Sequence, residues 1–83
     1  MENVFVIIEH TILDGTVHAY CASVHTTMES AKAHIMAMKK LLGYELYAES
    51  SKELEDETGC YNVHFRSEKR SGWYEVQKMA VYK

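Results

Sequence analysis

Residues 3–12, NVFVIIEHTI, form a run of β-branched and apolar residues that stops at Asp14-Gly15. Asp-Gly between two such runs predicts a type I′ hairpin, because both central residues of that turn need positive φ. The second strand then covers residues 16–24. A two-residue loop sets the register, with Leu13 opposite Thr16, Ile12 opposite Val17, Glu9 opposite Tyr20, Ile8 opposite Cys21, Val6 opposite Ser23 and Phe5 opposite Val24.

Beyond Thr26 the period changes. Met28, Ala31, Ile35, Met38 and Leu42 recur at helical spacing as one narrow apolar stripe. Thr26 as N-cap with Glu29 three residues on makes a capping box, Lys39 and Lys40 suit the carbonyl end, and Gly43 is a stop. The spacing predicts a helix over 27–42, with Ile35 inside and Lys32 off the stripe.

Residues 44–48, YELYA, fit a short strand or a further helical turn equally, and 49–59, ESSKELEDETG, read as a polar acidic loop. In CYNVHFRS, residues 60–67, Tyr61, Val63 and Phe65 share one face while Asn62, His64 and Arg66 share the other, the mark of a half-buried strand. A turn over 68–72 leads to a last strand at 73–82, with Tyr74, Val76, Ala80 and Tyr82 on one side. The predicted order is β-β-α-(β)-β-β. The fold class is α+β: a small antiparallel sheet with one long helix packed on one face, as a single domain over residues 1–83.

A domain of 83 residues buries only about 60–65% of its unfolded surface, so such chains commonly recruit disulfides, a metal or a second copy. Two cysteines make no disulfide framework. A net charge of −3 and a pI near 5.9 argue against a general nucleic-acid or membrane binder. No stretch approaches transmembrane length, and the opening run Val4–Ile8 ends in charge at Glu9, unlike a secretory signal. The expectation is a cytoplasmic protein with reduced, buried thiols.

The candidate chemistry lies in HAYCASVH, residues 18–25. His18 and Cys21 point to opposite faces of a strand, and Cys21 and His25 are about 13 Å apart along it, too far to share a metal. Cys21, opposite Ile8, reads as a core residue, and His64 is too far along its strand from Cys60 to activate that thiol. Glu53, Glu55, Asp56 and Glu57 sit in the polar loop, and the glycines are isolated turn residues rather than a phosphate loop. The expectation is no metal, no cofactor and no catalytic centre. Arg66, Lys69 and Arg70 running into Trp73 form the one basic-aromatic cluster, a candidate contact for single-stranded nucleic acid.

The hairpin has two apolar faces and the chain has one long helix to cover them. Val4, Val6, Ile8, Ile12, Val17, Ala19 and Cys21 share one face. Phe5, Ile7, Tyr20 and Val24 share the other, and they are the residues expected to stay uncovered as a protein interface. Self-association as a C2 homodimer is the economical way to cover them. A small-molecule pocket between two such subunits is a third reading.

The strand VFVIIEH, the D-G hairpin, the helix entry TTMESAKAHI and the closing WYEVQKMAVYK resemble the small β-β-α-β-β proteins of phage and prophage genomes. Those proteins open with a V-Y-V-V-x-E strand, enter the helix with S-x-E-x-A and close with Y-x-V/I-x-x-x-x-V. The resemblance covers residues 3–42 and 73–82. It implies a non-catalytic binder that inhibits or redirects a host protein, and it carries over no site residues.

Overall fold

The computed structural model describes residues 2–81, so the expected place of Tyr82 at the end of the last strand lies outside the described residues. Its elements are β1 (Glu2–Leu13), β2 (Thr16–His25), α1 (Met28–Leu42), β3 (Glu45–Tyr47), α2 (Lys52–Thr58), β4 (Tyr61–Arg66) and β5 (Ser71–Val81). One antiparallel sheet runs in the order β2-β1-β5-β4-β3, with α1 against one face, so the chain has the α+β architecture expected.

The hairpin forms as the Asp-Gly pair predicts, with φ of 51° at Asp14 and 78° at Gly15. The register holds from Leu13↔Thr16 to Ile8↔Cys21 and then slips by one residue, to Ile7↔Ser23, Val6↔Val24 and Phe5↔His25. The extra residue, Ala22, makes a β-bulge, which turns Val24 to the face opposite Tyr20. Phe5 therefore meets His25 and not Val24.

Helix α1 starts one residue later than predicted. Thr27, not Thr26, is the N-cap, and its hydroxyl accepts from the Ser30 amide at 3.0 Å. Gly43 closes the helix in the left-handed conformation (φ 70°), where its missing Cβ removes the steric cost. The ambiguous YELYA segment resolves as edge strand β3, and Ala48 (φ 52°) turns the chain out of it.

The segment expected to be an acidic loop contains a helix. Ser51 caps α2 by accepting from the Leu54 amide, and Gly59 ends it in the left-handed region. The strongest reason for its order is Glu55, which is buried and takes the Lys32 ammonium at 2.7 Å. Lys32, which the spacing places off the apolar stripe, is thus the link between the two helices.

Residues of β4 and β5 decide which side of the sheet α1 covers. Their register aligns Ile7 with Val76 and Tyr61, Glu9 with Tyr74 and Val63, and Thr11 with Gly72 and Phe65. Tyr61, Val63, Phe65, Tyr74 and Val76 are all buried and form one core with Ile7, Ala31, Ile35 and Tyr44. Because β1 is the second strand of the sheet, its odd-numbered residues are carried to the helix side by this partner.

Candidate functional site

That placement overturns the expected interface patch. Ile7 is fully buried beneath the helix, and Phe5 is half-buried on the same side. Tyr20 is half exposed on the helix side, while Val24 lies across the sheet because of the bulge. The four residues do not form one surface.

The open face is instead the one that carries more aliphatic residues. From β1 it presents Val4, Val6, Ile8 and Ile12, and from β2 it presents Val17, Ala19, Cys21 and Val24. Ile12, Val17 and Val24 are 40%, 50% and 57% exposed. Met79 extends this patch on β5, opposite Val4. Cys21, expected in the core, is exposed here, because the strand it sits on has no layer above it on this side.

Toward β4 and β3 the same face changes character. The His10 ring stacks on Trp73 at 4.5 Å between centroids and 8° between planes. Trp73 stands 6.0 Å from His64, His64 stands 5.5 Å from Tyr47, and the Arg66 guanidinium lies over Tyr47 at 4.8 Å. One row of rings thus crosses four strands. Its polar groups are paired: Arg66 donates two bonds to the Glu45 carboxylate, at 2.9 and 3.0 Å, and the His10 ring is hydrogen-bonded to Glu75 at 3.2 Å. The Arg66 guanidinium in turn holds the Glu45 carboxyl below its ordinary pKa, chiefly through those hydrogen bonds.

The basic-aromatic cluster does not converge. Arg66 and Trp73 share the open face, whereas Arg70 lies near the Tyr44 hydroxyl, on the helix side, and Lys69 is at the exposed β4–β5 turn. The neighbouring bases of the sequence are therefore split between two sides of the sheet.

His18 and Cys21 project to opposite faces as expected. His25 meets the helix: its ring bonds the Ser23 hydroxyl at 2.8 Å and the Ser30 hydroxyl at 2.9 Å, and stands 5.4 Å from the His34 ring. Burial, and then the neighbouring His34, lower its pKa. Among the described residues no cluster of three or more His, Cys, Asp or Glu side chains could hold a metal ion. No helix among them is long and apolar enough to cross a membrane.

The helix side has two further features. Glu9, only 3% exposed, accepts from the Thr11 hydroxyl at 2.8 Å and from the Tyr20 hydroxyl. A groove of about 440 Å³ lies between α1 and β3–β4, walled by Ile35, Met36, Leu46 and Val63, with Lys32 and Glu49 at its rim.

Comparison of the chain with family models, curated proteins and solved structures gives no match. Its functional reading therefore rests on the surfaces just described.

Proposed function

We propose that this protein is a non-enzymatic protein-interaction module and that the open face of the sheet is its docking surface. The observation that carries this reading is the uncovered aliphatic stretch over β1 and β2, where Val17 and Val24 are at least half exposed and the polar His10, between Ile8 and Ile12, is tied to Glu75. Contiguous apolar surface of this kind marks a binding site in a folded protein. Five strands of these lengths present roughly 700 Å², close to the ~800 Å² that each partner contributes to a standard interface. The resemblance to phage-encoded β-β-α-β-β proteins adds a host protein as the partner, with inhibition or redirection of that protein as the outcome. We also propose that the working unit is a homodimer in the cytoplasm.

The test uses exposed positions so that the fold survives. Ile12→Glu and Val24→Glu place a carboxylate in the patch. Leu41→Glu alters a helix residue that is 77% exposed and lies outside the patch. Loss of partner capture and of hydrophobic-dye binding in the first two, with both retained in the third, supports the reading. Equal behaviour of all three sinks it.

A second reading, a single-stranded nucleic-acid contact, is favoured by the ring row from His10 to Tyr47, since bases stack on such platforms without sequence preference. Phosphate contacts make binding weaken steeply with salt, and docking on aliphatic side chains does not, so a salt series separates the two.

A further inference from the structure

The two edges of the sheet are built very differently. β3 is short, three residues, and carries Glu45, and Ala48 turns the chain away from it. Short length and charge are the ordinary protections of a sheet edge. β2 has ten residues, TVHAYCASVH, without a lysine, arginine, carboxylate or proline, and it is paired on one side only. Its first six residues, Thr16 to Cys21, are all exposed and precede the bulge at Ala22, so a regular, uncharged row of backbone donors and acceptors is left open. Such an edge is a template for another strand.

We propose that two copies of the chain pair antiparallel through their β2 edges, giving a continuous ten-stranded sheet. This rests on the homodimer reading above and assigns its seam. The occupant is a second copy because the strand is self-complementary. A two-fold sets β2 antiparallel to itself, each residue meets one on its own face, and an uncharged strand meets its own image without like-charge repulsion. The two-fold that continues an antiparallel sheet stands perpendicular to it. Both helices therefore lie on one side and both open faces on the other. The aliphatic residues of β1 and β2, next to the seam, merge across it into one patch about twice the size of that on a single copy. The docking surface proposed above is thereby completed by the partner copy.

Sedimentation analysis and amide hydrogen exchange test this together. The wild type should be dimeric, and the outward-facing amides of Thr16 to Cys21 should be protected in the dimer and exchange freely on dilution to monomer. Val17→Lys and Ala19→Lys, at exposed positions, should keep the monomer's circular dichroism and weaken dimerisation by about tenfold or more. Met79→Lys, on the open face away from β2, should leave the dimer intact. A dimer that breaks with Met79→Lys as well as with Val17→Lys, and leaves the β2 amides unprotected, would be a face-to-face sandwich, since both side chains lie on the open face; it overturns the β2 seam and keeps the homodimer. A wild type that is monomeric at every accessible concentration overturns both.

Discussion

Across the β1–β2 ladder, the Tyr20 hydroxyl donates to the carboxylate of Glu9, the residue directly opposite it. Glu9 is buried, and Thr11 supplies its other hydrogen bond. The Tyr74 hydroxyl is buried nearby without a hydrogen-bond partner among the described residues. The bond to Glu9, then burial, push the Tyr20 pKa up to about 12. Burial is the main cause for Tyr61 and Tyr74, which are raised further, with Glu49 and Glu9 respectively adding to it.

Raised tyrosine pKa values predict alkaline unfolding. A folded-state pKa above the unfolded one means that the unfolded chain gives up its proton first. Stability is then complete below about pH 10 and is lost as pH rises further. Tyr61 and Tyr74 are buried, and each should contribute up to about 1.4 kcal/mol per pH unit above that point. Tyr20 contributes less because half of it is solvated. Denaturant titrations between neutral pH and pH 11 or so, with tyrosinate absorbance as a second signal, should show stability falling only above about pH 10. Tyr20→Phe should cost about 1–2 kcal/mol at neutral pH by removing one of the two bonds to a buried carboxylate. A flat profile across that range would contradict the packing of these rings.

Lys32 carries the second prediction. Its ammonium meets the buried Glu55 at 2.7 Å and lies over the Tyr61 ring at 4.6 Å, while Lys52, the other cation near Glu55, is 3.6 Å away and mostly exposed. Lys32→Ala leaves Glu55 with the weaker partner and should cost about 1–3 kcal/mol. Lys32→Ala with Glu55→Gln together should cost less than the two separately, because the uncompensated carboxylate is gone. A double-mutant cycle in urea reads this directly, and additivity within error would show that α2 is not held by this contact.

Gly72 supplies the third. It sits in β5 opposite Thr11, and a Cβ there would come within 1.9 Å of the His10 carbonyl oxygen and 3.0 Å of the Phe65 ring. The obstacle is backbone of the central ladder, which cannot step aside as a side chain can. Gly72→Ala should cost several kcal/mol, on the order of 3, by forcing β1 and β5 apart. At Gly43 nothing lies within 4 Å of the added atom and only the positive φ opposes it, so Gly43→Ala should cost about 1 kcal/mol. Thermal denaturation of the two variants should rank them in that order.

Local chemistry was legible in the sequence and long-range pairing was not. Asp14-Gly15, Gly43 and the Met28–Leu42 stripe each act within a few residues, and each element they predict is present. The alternation of Tyr61, Val63 and Phe65 correctly marked a buried face. The bulge at Ala22 left no local trace, since nothing in TVHAYCASVH asks for an extra residue, and it moved Val24 across the sheet. Helix α2 was hidden by its composition: KELEDET has no apolar stripe, and its buried member is Glu55, whose partner Lys32 is far away in sequence. The side of the sheet that α1 covers was undetermined within the hairpin, because both faces there are apolar. It is decided by β5, which aligns Ile7 with Val76 some seventy residues later. The exposed position of Cys21 follows from that same decision.

The last prediction tests that decision by itself. Ile7 and Ile12 are both isoleucines of β1, five positions apart and therefore on opposite faces. Ile7 is fully enclosed, next to Val76 in the ladder, and Ile12 is 40% exposed on the open face. Ile7→Glu puts a carboxylate inside the apolar core, level with Val76 and Tyr61 in the ladder, and it should leave the domain unfolded at room temperature. Ile12→Glu keeps its carboxylate in water and should change monomer stability by no more than about 0.5–1 kcal/mol. If the faces were reversed, with α1 over Val4, Val6 and Ile8, the outcome would invert: Ile12→Glu would be the damaging change and Ile7→Glu the tolerated one. Circular dichroism of the two proteins decides between these arrangements without reference to any partner. It also settles whether Phe5 and Ile7 belong to the core or to the docking surface, since a residue that unfolds the chain when charged cannot be part of a free interface.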